Sequence, residues 1–243
     1  SVSRTAGGWP STVCDNSPMG TLNLVRHGQA SFGAADYDNL SDLGQRQSQR
    51  LGEHFRANSK HFDAVLTGTL RRHAQTWQGI ASGMQLDAAN APEVHVWPGL
   101  DEYDPAALIG AVHRQKLEMP KTPEDMRNHF RLLREGLLAW MAGETKPVRM
   151  PTYAEFKAGV ISALDHVREQ YPDGDVLIVS SGGPISTAVG HVLGAGAEAT
   201  VELNLRIRNC SLSQFSYNAK KHSLMTYNML PHLDSPEHQS WIT

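Results

Sequence analysis

Four stretches of the chain hold residue types that could meet an anion. In Leu24-Val25-Arg26-His27-Gly28-Gln29-Ala30 a histidine follows an apolar run directly, with arginine before it and glycine after it. A histidine so placed can face a ligand, and the glycine lets backbone approach an anion closely. The alternative is a surface ion pair by Arg26, with His27 closing a strand. In Thr67-Gly68-Thr69-Leu70-Arg71-Arg72-His73-Ala74-Gln75-Thr76 two arginines fall at a helix start. Positive charge there opposes the helix dipole unless an anion binds at the same end; otherwise the two are solvated. Ser180-Ser181-Gly182-Gly183 is a strand–glycine–helix turn whose N–H groups could face an oxyanion. Such turns are common, and no Gly-Lys-Ser/Thr follows to make this one a nucleotide loop. Trp97-Pro98-Gly99-Leu100-Asp101-Glu102-Tyr103-Asp104 places carboxylates beyond a third strand, as ligand-facing acids or as the acids of a helix N-cap.

The elements that must position these groups alternate. Thr21–Val25, Asp63–Thr67, Glu93–Trp97 and Asp175–Ser180 read as short strands. A helix is expected from Ser41, as its cap, to about Asn58, with Leu43, Leu51 and Phe55 on one face. Another runs from about Thr69, burying Leu70, Trp77 and Ile80. Thr122-Pro123-Glu124-Asp125 and Thr152-Tyr153-Ala154-Glu155 are capping boxes. Behind the first, Met126, Phe130, Leu133, Leu137 and Trp140 recur at helical spacing; behind the second, Phe156, Val160, Leu164 and Val167 do. Pro184 can open a helix that stops at Gly194, and Asn209–Asn228 reads as two strands around Asn218-Ala219-Lys220-Lys221. The pattern predicts one α/β domain over 19–243, a three-layer sandwich with a mostly parallel sheet and helices on both faces. In such sheets ligands bind beyond the carboxyl ends of the strands, where these stretches fall.

Composition narrows the function. At 243 residues, with 40% hydrophobic and 19% charged residues, the chain can bury a core without metal or disulfide staples. Lys+Arg minus Asp+Glu is 22 − 25 = −3, which argues against a nucleic-acid or anionic-membrane binder. Cys14 and Cys210 have no CxxC spacing, and twelve histidines include no HExxH, so neither a disulfide framework nor a metal site is expected. No apolar run approaches a membrane span and no N-terminal signal is visible, so the expected setting is cytoplasmic. Residues 1–18, rich in Ser, Gly and Pro, are expected to be a flexible extension ahead of Met19.

Together LVRHG, LSDLGQRQ, RRHAQT, LDEYD and SGGPI, in this order over residues 20 to about 229, resemble the histidine phosphatase superfamily, whose founding relatives are the cofactor-dependent phosphoglycerate mutases. The resemblance implies a phosphoglycerate mutase-like fold and a phosphohistidine mechanism; no cofactor is expected. His27 would attack phosphorus. Arg26 and Arg72 would hold the phosphoryl oxygens, Arg72 rather than Arg71 because it matches the first residue of the pattern RAxQT. Glu102 would protonate the leaving oxygen and then take a proton from water, a dual role suited to a pKa near neutrality. Gln29, Ser31 and Tyr103 are implied substrate contacts, with Gly182 and Gly183 supplying amides. The chain departs from the family at Ser181, where a second histidine normally donates to the phosphoryl group; serine is shorter and never cationic. Either Ser181 and the helix amides substitute, with another histidine such as His191 helping, or turnover is weak. The expected activity is hydrolysis of a small phosphomonoester. A phosphoglycerate mutase-type transferase is the alternative, and a weakened, phosphate-binding or regulatory protein is the alternative of another class. Expected partners are a small phosphorylated substrate or inorganic phosphate. Specificity is expected from a helical insertion around 104–150, and a homodimer is left open.

Overall fold

A computed structural model describes residues 19–31, 38–113, 115, 118 and 120–243; the expected extension over 1–18, with Cys14, lies outside them. The chain runs β1 (Gly20–Arg26), α1 (Asp42–Ala57), β2 (Ala64–Thr67), α2 (Arg71–Met84), β3 (Glu93–Val96), α3 (Pro105–Val112), α4 (Pro123–Met141), α5 (Tyr153–Gln170), β4 (Asp175–Ser180), α6 (Gly182–Leu193), α7 (Ala197–Arg206), β5 (Leu212–Tyr217) and β6 (His222–Met229). The six strands form one sheet in the order β3-β2-β4-β1-β5-β6. The pairs β3–β2, β2–β4 and β4–β1 are parallel, and β5 runs antiparallel to both its neighbours, so β5 alone is reversed.

Alternation along β4 separates the two cores. Val176 and Ile178 face α5, α6 and α7 with Leu22 and Leu24 of β1. Leu177 and Val179 face the opposite layer, where Leu51 and Phe55 of α1 meet Trp77 and Ile80 of α2. Period-2 strands between two apolar helix layers make the three-layer sandwich. Both capping boxes form, Thr122 with Asp125 and Thr152 with Glu155.

Several expectations change. Glu93–Val96 is a largely exposed edge strand, and Leu70, expected to be buried, is only half-buried. The helix expected from Thr69 starts at Arg71, because the Thr69 amide and hydroxyl both donate to the Asp101 carboxylate. On α4 the apolar stripe splits. Leu133, Leu137 and Trp140 enter the core, but Met126 and Phe130 are 37% and 48% exposed. Helix α7 was not foreseen.

Gly28 does not keep its α-carbon clear for an anion: a Cβ there would sit 2.5 Å from the Gly44 carbonyl oxygen. A Cβ on Gly44 would in turn run into the Gln29 carbonyl. The two glycines let the loop after β1 lie against the first turn of α1. Alanine at 44 would add about 1 kcal/mol of helix propensity, yet forcing atoms into a packed contact costs about 1–3 kcal/mol. Gly44→Ala is therefore expected to lower the urea midpoint of unfolding; a higher midpoint would show that the loop yields freely.

Candidate active site

The carboxyl ends of β1, β4 and β2 lie side by side, and the site is built where they stop. His27 follows β1, and its amide donates to the Ser180 carbonyl at 2.8 Å. Its own carbonyl accepts from the Cys210 amide and from Asn209 Nδ2 at 3.1 Å, so the backbone on both sides is fixed. The imidazole is buried. Nδ1 lies 2.7 Å from the Gly28 carbonyl oxygen, which can only accept, so Nδ1 carries the proton. Nε2 is left with its lone pair and accepts from Arg72 Nε at 3.2 Å. Burial, then the Arg26 and Arg72 guanidiniums, then His73 hold the ring well below the usual histidine pKa. His27 is thus a neutral imidazole with an unprotonated Nε2.

Each arginine is held by a partner of its own. Arg26 donates through Nη1 to the Ile207 carbonyl. Arg72 is buried on the first turn of α2 and bonds Asp38 Oδ1 at 2.9 Å, while Asp38 Oδ2 accepts from the Arg71 amide. Asp38 thereby supplies the negative charge that this helix start lacks. Arg71 itself is exposed. The Gln75-Thr76 pair of the motif ties the helix to its surroundings. Thr76 Oγ1 accepts from the Gly28 amide, and Gln75 Oε1 accepts from the Leu40 amide.

Glu102 is set by the turn after β3, which Ser180 anchors through Oγ to the Leu100 carbonyl at 2.6 Å. Its Oε1 accepts from the Gly183 amide at 3.1 Å. Burial pushes its pKa up to about 7, against the downward pull of Arg26, Arg72 and the backbone bonds. A carboxyl balanced there can give and take a proton at neutral pH.

Other expected site residues fall differently. Tyr103 lines the cavity, and its hydroxyl accepts from Asn204 Nδ2 at 2.6 Å. Gly182 also lines it. The Gly183 amide is engaged by Glu102, so it seats the acid rather than standing ready for a ligand. Gln29 Oε1 accepts from Ser41 Oγ, and the Ser31 amide donates to the Asn39 carbonyl; neither residue lines the cavity. Ser181 is buried with its Oγ 2.7 Å from His73 Nε2, while His191 lies in the last turn of α6, off the cavity wall. Asp38, Asn209 and His73 were missed by sequence reasoning. The signal for His73 was its place beside Arg72, where RAxQT has alanine.

Above His27, Arg26, Arg72 and Glu102 opens a cavity of about 830 Å³. Much of its lining is apolar, including Leu70, Met126, Phe130, Leu133 and Leu205. The exposed end of α4 is therefore a wall of the site rather than a misplaced piece of core. Among the described residues no group of three or more His, Cys, Asp or Glu is arranged to hold a metal, and no helix is long and apolar enough to cross a membrane.

Comparison with known proteins follows the same lines. The chain is 28% identical over 227 residues, 88% of its length and 94% of the relative's, to the "Probable phosphoglycerate mutase GpmB" of Cronobacter sakazakii. Among solved structures, a phosphoserine phosphatase mutant from Entamoeba histolytica in complex with phosphoserine superposes with a TM-score of 0.62 at 19% identity, covering 88% of this chain and 98% of that one. The alpha-ribazole phosphatase of Shigella flexneri gives 0.59 at 24% identity, covering 86% and 96%. These likenesses show the α/β fold. The family model of the histidine phosphatase superfamily, branch 1, matches residues 22–230, and with most of its length so matched the chain belongs to that superfamily of phosphatases and mutases.

Proposed function

We propose that the protein hydrolyses phosphomonoesters through a phosphohistidine on His27. The observation that carries this reading is the tautomer of His27, whose Nδ1–H is spent on the Gly28 carbonyl so that Nε2 keeps its lone pair beside Arg72. Nε2 attacks phosphorus, the N–P bond forms and the ester O–P bond breaks. Arg26 and Arg72 offset the phosphoryl charge, and protonated Glu102 gives its proton to the departing oxygen. In the second half, Glu102 takes a proton from water, the water oxygen bonds phosphorus, and the N–P bond breaks to return neutral His27. The cavity supports hydrolysis over mutase chemistry, since about 830 Å³ leaves room for water beside a departing alcohol.

The apolar wall supports a substrate whose leaving group is bulky and apolar. We expect 2-naphthyl phosphate to exceed 3-phosphoglycerate in kcat/KM by about tenfold or more, a discrimination within the usual reach of a hydrophobic pocket. Phe130→Ser should erase most of that preference. The deciding experiment is a single turnover with radiolabelled phosphomonoester, which should leave an acid-labile, base-stable label on His27. Vanadate binding without any label would make the protein a phosphate binder. Transfer of the label to a second alcohol in preference to water would make it a mutase.

A further inference from the structure

A second imidazole stands next to the first. His73, in the first turn of α2, has no exposed surface, and its ring centroid lies 5.8 Å from that of His27, with 37° between the planes. Its Nε2 is 2.7 Å from Ser181 Oγ. Ser181 is equally buried and stands at the N-cap of α6, yet its side chain caps no amide of that helix. An N-cap serine ordinarily accepts from the second or third helical amide. Here its hydroxyl instead joins the end of β4 to the start of α2. On the other edge of the ring, Nδ1 has no hydrogen-bond partner and faces Asp101 Oδ1 at 4.0 Å. Gly68 leaves room for both, since a Cβ there would strike His73 Nδ1 and Asp101 Oδ1 together.

A buried ring with one unsatisfied nitrogen is costly to keep, and the proposed reaction gives His73 no bond to make or break. We infer that His73 and Ser181 form one unit in which His73 is a positioning residue: its ring, held by the Ser181 hydroxyl, fills the space between α2 and the β4–α6 turn, supports the His27 ring and keeps water from it. The inference rests on His27 as the nucleophile. The charged and titratable groups that face His27 are Arg26 on β1 and Arg72 and His73 on α2, and those that face His73 are Arg72 and, after β3, Asp101, with Asp38 held on Arg72.

Two consequences separate this unit from ordinary packing. Positions 73 and 181 share one volume, so only one of them can carry an imidazole. Removing the His73 ring also admits water to His27, so the nucleophile protonates more readily and the acid limb of kcat/KM moves to higher pH.

The test compares Ser181→His, His73→Ala, the two combined, and His73→Gln with the parent, by kcat/KM on 4-nitrophenyl phosphate across pH and by thermal unfolding. Ser181→His alone has nowhere to place its ring, and displacement of the nucleophile should cost about 10²-fold. The combination removes one ring and adds another, so it should return to within about tenfold of the parent and recover most of the lost Tm. His73→Ala should shift the acid limb upward. His73→Gln, which keeps an amide beside Ser181 and most of the volume, should shift it less and recover most of the rate. Additive losses in both rate and Tm, a Ser181→His variant faster than the parent, or an unmoved acid limb in His73→Ala would overturn the inference. Should the parent show no turnover and no phosphoenzyme, the proposed reaction fails by itself, and the coupling in Tm decides the pair.

Discussion

Replacing His27 by alanine is expected to lower kcat/KM by about 10⁴-fold or more, because loss of the proposed nucleophile would remove the two-step path altogether. No phosphorylated chain should form in a single turnover. The neighbouring arginines should then separate sharply. Arg72 is 7% exposed and donates directly to Nε2 of His27, so Arg72→Ala removes a bond to the proposed nucleophile and the charge proposed to face the transferring group. A loss of about 10²–10³-fold is expected, the usual effect of deleting one such donor. Arg71 is exposed, and the bond from its position to Asp38 is made by its backbone amide, which alanine retains. Arg71→Ala should stay within a few-fold of the parent. Substantial turnover without His27 would move the nucleophile elsewhere, and equal losses at 71 and 72 would show that charge density alone matters. The measurement is steady-state kinetics of the three variants on one substrate, with circular dichroism to confirm folding.

What the sequence disclosed and what it hid divides by distance along the chain. The capping boxes at Thr122 and Thr152 are legible because all their partners lie within three residues. Strand β4 is legible because Val176-Leu177-Ile178-Val179 must be buried on both faces in a parallel sheet. Arg26 and His27 could be singled out from the local pattern at the end of β1, whereas Arg72 and Glu102 were named through the family resemblance that their motifs carry. Met126 and Phe130 misled because a helix stripe has the same period whether it faces a core or the wall of a cavity. Helix α7 was missed because its ten residues bury only Thr200 and Val201 and give almost no stripe to read. Asp38 belongs to no motif and meets Arg72 from 34 residues away. Ser181 and His73 are 108 residues apart. Each could be read only as an isolated departure from the family's pattern; that the two departures touch is a fact of the fold.

Glu102→Gln should separate substrates by their leaving groups. A glutamine keeps the shape and can still accept from the Gly183 amide, but it can neither give nor take a proton. For an alkyl phosphate, whose alkoxide leaves poorly, loss of the general acid should cost about 10³-fold in kcat/KM, inside the range that positioned proton transfer supplies. For 4-nitrophenyl phosphate the departing oxygen needs little protonation, so the first step should slow only a few-fold. The second step needs a base for every substrate. The variant should therefore release nitrophenol in a burst matching the enzyme concentration and then stall as the phosphohistidine form. With the Glu102 pKa pushed up to about 7, the proposed roles predict the pH profile of the parent: phosphorylation should weaken as pH rises through about 7, and dephosphorylation should weaken as pH falls below it. Stability follows the same proton. Because the folded-state pKa lies above the ordinary value of 4.5, the folded chain holds more protons than the unfolded one between those values. The stabilisation from neutral Glu102 is complete below about 4.5 and lost as pH rises through about 7, so Glu102→Gln should unfold at a higher temperature than the parent above pH 7. Equal losses on both leaving groups, no burst, and a parent Tm that does not fall relative to the variant across that window would remove Glu102 from the proton path.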